Sequence, residues 1–245
     1  MTTPVFASEN RLGSLLIRRF SRKLYVSAAV LIFLLIFVGF SRTYYLHRWF
    51  GMPDLSLFLH VHAFAMSLWI ALFFIQTLLI SVRQVRLHQN LGILGILSAA
   101  LVPTLGVSAT VMAARREVAM HTHNVSIAIT VLALELTQML MFSGFAAAGF
   151  ILRNRTGYHK RLMLLATFCM LPNAIVRIVR MQSFIAPMII WSLLIVIAAL
   201  IDRWTHGRLH PVFGTWAFLQ VALLWFALGV GLSDAWQHFA QRAVS

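Results

Sequence analysis

Seven long apolar runs alternate with short polar stretches along the chain. A helix needs about 20 mostly apolar residues to cross a hydrocarbon core about 30 Å thick, and each run is close to that length. Inside lipid the backbone must satisfy its own hydrogen bonds, and the runs lack the alternating pattern of a membrane barrel. The pattern therefore predicts an all-α integral membrane protein, a bundle of seven transmembrane helices. The predicted spans are 24–40, 57–80, 91–113, 125–150, 162–181, 184–201 and 213–232.

These spans divide the chain into a basic N-terminal segment, 1–23, a transmembrane domain, 24–232, and a short C-terminal tail, 233–245. The basic start followed by an apolar run is also typical of a signal peptide. However, no small-residue cleavage site follows Phe40, and an aromatic and basic stretch of the membrane-interface type, 41–45, comes next. We therefore expect the first run to remain as a transmembrane helix.

Composition supports the membrane assignment. Of 245 residues, 60% are hydrophobic and only 11% are charged, against roughly 25% charged in ordinary soluble domains. The mean hydropathy is +0.85. The 20 Lys and Arg residues far outnumber the 6 Asp and Glu residues, but they lie mostly between the apolar runs. We expect these cations to contact lipid head groups, which makes the bilayer the expected partner and argues against nucleic acid.

The distribution of the cations predicts an orientation. With the N-terminus inside, 13 of the 20 Lys and Arg residues fall on the cytoplasmic side and 7 on the other. The positive-inside rule favours this arrangement. The sequence therefore predicts a multi-pass protein of the bacterial inner membrane, with a cytoplasmic N-terminus and a periplasmic C-terminus.

Two pairs of histidines lie at the predicted outer ends of helices 2 and 4. His60 and His62 are at the start of helix 2, and His121 and His123 are at the start of helix 4. Neutral imidazole is the commonest metal ligand, and two facing imidazoles suit a bis-histidine haem b or a copper or iron centre. These residues predict a metal or haem site at the outer side.

Helical geometry limits the choice of ligands within each pair. Residues two apart on a helix point about 200° apart, so one histidine of each pair is expected to be a bystander. His62, Trp69 and Gln76 are spaced by seven and share one face, which favours His62 over His60. For helix 4, both His121 and His123 remain candidates.

Further polar side chains lie within or at the ends of the apolar runs. An ionised Glu facing lipid costs about 2.5–3.5 kcal/mol or more, so Glu135 is expected to face the bundle interior. Arg177 and Arg180 could neutralise haem propionates or anchor a helix end in head groups. Pro103 and Pro172 predict kinks in helices 3 and 5. The predicted intramembrane polar residues are Gln76, Glu135, Gln138 and Asn173.

A second pair of histidines lies on the predicted cytoplasmic side. His88 precedes the third apolar run and His159 precedes the fifth. Together they could bind a second cofactor near the inner face, as in cytochromes that carry electrons across a membrane. The alternative is contact with the anionic head groups of that leaflet.

Several of these residues belong to a series of short motifs. The series resembles that of a group of uncharacterised polytopic inner-membrane proteins of bacteria, over residues 60–240. The chain departs from the pattern at Gln89, where the resemblance implies a basic residue. The His-Lys-Arg-Leu-Met stretch is also similar to one in small membrane proteins implicated in assembling haem–copper oxidases, which implies redox or metal work. The motifs are 60–63 (His-Val-His-Ala), Gln76, 86–92 (Arg-Leu-His-Gln-Asn-Leu-Gly), 159–163 (His-Lys-Arg-Leu-Met) and 207–211 (Gly-Arg-Leu-His-Pro).

Three functions are compatible with these residues. The first is a haem- or metal-binding protein for electron transfer or respiratory-complex assembly, in which His62 pairs with His121 or His123, and His88 pairs with His159. The second is a small-solute or proton transporter whose path uses the intramembrane polar residues and Arg177. The third is an accessory or scaffold subunit that docks to other subunits of a membrane complex.

Overall fold

The computed structural model describes residues 5–180 and 183–245, with side chains from residue 20 onward. These residues form nine α-helices and two π-helical turns, and no strand occurs among them. The π-helical turns are Ser41–Tyr45, which extends α1, and Val212–Ala217, which precedes α8. The helices are α1 (Val5–Phe40), α2 (Leu57–Ser81), α3 (Val85–Ala119), α4 (Val125–Ile151), α5 (Thr156–Phe168), α6 (Leu171–Val179), α7 (Ile185–His206), α8 (Phe218–Gly231) and α9 (Asp234–Val244).

Seven helical stretches are long and apolar enough to cross a membrane, which confirms the predicted number and the all-α class. The surface agrees with this reading, since large apolar side chains such as Leu140 and Phe226 are 74% and 70% exposed. In water such a surface would be costly, and lipid covers it without cost. The spans are Phe20–Tyr45, Leu57–Ser81, Val85–Ala119, Val125–Ile151, Thr156–Val179, Ile185–His206 and Val212–Gly231.

The short connections make successive spans run in opposite directions. One end of the bundle, which we call the cavity face, carries residues 46–56, 120–124 and 232–233. The opposite end, the basic face, carries residues 82–84, 152–155 and 207–211. Under the predicted orientation the cavity face is periplasmic.

Helix α4 lies at the centre of the bundle and packs against α3, α5 and α8. Among the residues whose side chains are described, α4 has more buried ones than any other helix, including the fully buried Phe142 and Ile129. Close approach elsewhere depends on glycine. A Cβ on Gly39 of α1 would lie 2.7 Å from the backbone of Ala174 in α6, so only glycine allows these two helices to pack this closely.

The fifth span is broken into α5 and α6. Pro172 has no backbone N–H, so the carbonyl of Phe168 loses its helical donor. The indole Nε1 of Trp191, on α7, replaces that donor at 2.8 Å from the Phe168 oxygen. Gln220, on α8, donates through Nε2 to the Leu165 oxygen at 3.1 Å. The Leu165 oxygen also accepts from the Cys169 N–H, so the carbonyl freed by Pro172 is that of Phe168. The kink predicted at Pro172 is therefore a break whose free carbonyl is satisfied by a neighbouring helix, whereas α3 is continuous through Pro103.

Residues 234–244, within the predicted C-terminal tail, form α9 and pack against α3 and α4. The Trp236 indole donates to the Ile129 carbonyl at 2.9 Å. Gln237 Nε2 donates to the Gly231 carbonyl at 2.7 Å and to Thr130 Oγ1 at 3.1 Å. Helix α9 is thereby fastened to the start of α4 at the cavity face.

Candidate functional site

A cavity of about 780 Å³ lies between the helices in the half of the bundle nearer the cavity face. It extends from Glu135 and Gln138, in the middle of α4, to Glu117 and Asn124 near the ends of α3 and α4. Glu135 is 8% exposed and Gln138 2% exposed, so the inner end of the cavity is shielded by the bundle. Most of the lining is apolar with a few polar side chains, which is typical of ligand and cofactor sites.

His62 lies in the wall of this cavity. Its Nδ1 is 3.2 Å from the backbone oxygen of Leu105 on α3, which fixes the ring and leaves Nε2 without a protein partner in the described structure. Metal-binding histidines usually have this arrangement, in which one ring nitrogen bonds a backbone carbonyl and the other binds the metal. His60, two residues earlier, is exposed and packs instead near His47 and Tyr44.

The structure does not bring His121 or His123 into the cavity. Both side chains are exposed in the turn before α4 and neither lines the cavity. His121 has a left-handed backbone with φ of 51°, and its Nδ1 lies 3.2 Å from the Ala119 oxygen of the same turn. The bis-histidine pairing predicted for the outer side is therefore not assembled in this structure.

Helix α6 contributes two polar side chains to the cavity, Asn173 and Arg177. The buried carboxyl of Glu135 lines the same cavity. Arg177 lies over the ring of Phe40 at 4.4 Å and donates to the Asn173 carbonyl at 2.9 Å. Among the described residues, no basic side chain forms an ion pair with Glu135. Arg180 caps α6 outside the cavity.

Four methionines also line the cavity, and the sequence analysis did not select them. Their thioethers are soft ligands for haem iron or copper. One signal was present in the sequence, since Met66 follows His62 by four residues and so shares its helical face. The four are Met66, Met139, Met170 and Met188.

The predicted inner pair, His88 and His159, does come together near the basic face. The ring centroids are 6.2 Å apart and the ring planes are 83° apart. His159 Nδ1 is 2.8 Å from the Gly149 oxygen of α4. The ring of His88 lies beside the backbone of Gln76, and the side-chain oxygen of Gln76 is buried without a hydrogen-bond partner.

Another cluster near the basic face was not predicted. Arg161 of α5 binds Asp202 of α7 through Nε at 3.0 Å and Nη2 at 2.7 Å, and both side chains are buried. His206 Nδ1 lies 3.3 Å from the same carboxylate. His210 packs against Tyr158 at 4.7 Å, and burial, with the Arg161 charge, lowers the pKa of His210. The available signal was that Asp202 is one of only 6 acidic residues and directly follows an apolar run.

Within the described ranges, no group of three or more His, Cys, Asp or Glu residues is placed to hold a metal ion. Any metal centre there must therefore use fewer such ligands, or thioethers, amides, water or a macrocycle. No protein-family model, no curated protein and no solved structure matches the chain.

Proposed function

We propose that this multi-pass membrane protein binds haem b in the cavity, for electron transfer or for assembly of a respiratory complex. The observation that carries the proposal is the oriented imidazole of His62 in the wall of a cavity of about 780 Å³. This volume favours haem over a bare copper or iron ion, because the cavity could hold on the order of 25 waters at about 30 Å³ each. A single ion would leave most of it empty.

The remaining lining fits the same cofactor. A methionine thioether can serve as the second axial ligand, as in cytochromes c. Arg177 is a cation on the cavity wall, where it can bind a haem propionate through charge-assisted hydrogen bonds. The apolar remainder of the lining suits the porphyrin ring.

The test is a reduced-minus-oxidised visible spectrum of the protein purified in mild detergent, with copper and iron analysis of the same sample. We expect the α-band of a b-type haem in the parent protein, loss of that band in His62→Ala, and its retention in His60→Ala. His60 is the matched control because it is exposed and two residues away on the same helix. A parent protein that is colourless after expression in haem-sufficient cells, or equal loss in both variants, would overturn the proposal.

A transporter is the second candidate, favoured by one observation. Glu135 is a buried acid at the inner end of a cavity that reaches one face of the bundle, next to the residues 170–173 of the broken fifth span. Buried acids and discontinuous helices are typical of transport sites. If the protein is a transporter, the purified parent protein is colourless, and Glu135→Gln abolishes its solute or proton flux into proteoliposomes. A scaffold subunit that only docks to other subunits shows neither effect.

A further inference from the structure

The inner histidine pair, His88 and His159, lies near the basic face, and the haem proposal does not use it. The two residues are 71 positions apart in the sequence, and each lies in the first turns of its helix, α3 or α5. Packing of α3 and α5 against α4 brings the two ring centroids to 6.2 Å. The pair is therefore a product of the tertiary structure.

His159 Nε2 and His88 Nδ1 have no protein partner in the described structure. His159 Nδ1 is engaged by the Gly149 carbonyl at 2.8 Å, which fixes the ring and leaves Nε2. His88 Nδ1 is buried and has no partner. A buried polar atom without a hydrogen-bond partner is unfavourable, so the site is suited to a species that binds this nitrogen.

We propose that the inner histidine pair binds one divalent transition-metal ion of the Cu²⁺ or Zn²⁺ class, with water completing the coordination. Imidazole nitrogens suit these ions, and the carbonyl-anchored His159 has the orientation of a metal ligand. With metal–nitrogen distances of about 2.0–2.1 Å, two imidazoles sharing an ion have ring centroids on the order of 5–6 Å apart. The observed 6.2 Å lies close to this range.

The test uses Cu²⁺ and the full-length protein in detergent. A second histidine pair would also bind Cu²⁺, because the ring of the part-buried His47 and the ring of the exposed His60 lie 6.5 Å apart. The reference protein therefore carries His60→Gln. After dialysis against Cu²⁺ and a brief chelator wash, we expect one retained ion per chain, with an electron paramagnetic resonance spectrum that shows coupling to two imidazole nitrogens.

In the same background, His88→Gln and His159→Gln are each expected to abolish the retained signal, while the exposed His238→Gln leaves it intact. The unfolding temperature measured without metal identifies any variant that fails to fold. If His88→Gln fails to fold, His88→Asn replaces it. Equal Cu²⁺ retention in His88→Gln, His159→Gln and the reference protein would overturn the proposal. A buried water would then be the partner of His88 Nδ1. The haem proposal has a different readout, the visible spectrum of the parent protein, so the failure of one proposal does not decide the other.

Discussion

Arg161 and Asp202 form the most deeply buried ion pair of the described structure, with side chains 4% and 5% exposed. Their bidentate geometry satisfies the fork of the guanidinium, and Arg161 Nη1 donates further to the Gly157 carbonyl at 2.8 Å. Removing one partner of a buried pair leaves an uncompensated charge, which costs more than the pair itself contributes. The fold therefore depends on both residues together.

We predict that Asp202→Asn lowers the free energy of unfolding by about 3–5 kcal/mol, because the Arg161 charge then loses the one acidic partner it has among the described residues. The measurement is denaturant or thermal unfolding in a fixed detergent. Asp54→Asn is the matched control, since the Asp54 side chain is 85% exposed and its contacts to His47 and Arg48 are long. If Asp202→Asn lowers the free energy of unfolding no more than the control does, Arg161 has found another partner.

For single residues, the sequence predicted burial correctly where exposure of a side chain to lipid would cost unusually much free energy. An acid within an apolar run predicted the burial of Glu135, which the structure places at 8% exposure. It missed Asp202, because the predicted sixth span ended one residue earlier and Asp202 was assigned to a loop. The cavity methionines were missed for another reason, since methionine is apolar and gives no signal distinct from ordinary packing.

At the scale of elements, the break between α5 and α6 depends on donors from other helices. Trp191 supplies the hydrogen bond to the Phe168 carbonyl that Pro172 cannot donate, and Gln220 adds a second donor to the Leu165 carbonyl. The break places Met170, Pro172 and Asn173 in the cavity lining. The shape of the cavity therefore depends on how these carbonyls are satisfied.

We predict that Trp191→Phe destabilises the protein by about 1–3 kcal/mol, because the Phe168 carbonyl is then buried without a donor. The cost should be smaller in the Pro172→Ala background, because Ala has a backbone N–H that can donate to the same carbonyl. Unfolding of the two single variants and the double variant gives the coupling energy. Additive losses would mean that the indole contributes only packing.

Elements were predicted best where hydropathy alone decides. The seven apolar runs correspond to the seven spans. However, α3 begins at Val85 and not at the predicted residue 91. Hydropathy misses its first turns because they carry the polar residues Arg86 and His88. Helix α9 was assigned to a tail because its 11 residues are too few to cross a membrane and include Asp, His and Arg. Its burial of Ala240 and Val244 depends on surfaces of α3 and α4 that no local pattern reveals.

At the scale of the whole molecule, the two faces differ in charge. The cations that follow α2, α4 and α7 belong to the basic face. Anionic lipids and the positive-inside rule favour such a face in the cytoplasm. Hydropathy does not show which helices pack against one another. The cavity lies between packed helices, so it could not be predicted from the sequence.

We predict that Asp54→Cys reacts with a membrane-impermeant maleimide in spheroplasts and that Asn154→Cys reacts only after lysis. Asp54 lies at the cavity face and Asn154 at the basic face, so the two positions report opposite sides. The only natural thiol, Cys169, is fully buried, and the unmodified protein serves as the unlabelled control. The reverse pattern of labelling would invert the predicted topology.

The attachment of α9 has a consequence for the timing of biosynthesis. Residues 234–244 leave the ribosome after all seven spans have been made, yet they complete a cluster with Ala114, Ile129 and Leu132. Until then the Ile129 carbonyl lacks its indole donor from Trp236. Chains normally fold from the N-terminus during synthesis, so here the start of α4 must wait, inserted but incompletely packed, for a segment made about a hundred residues later.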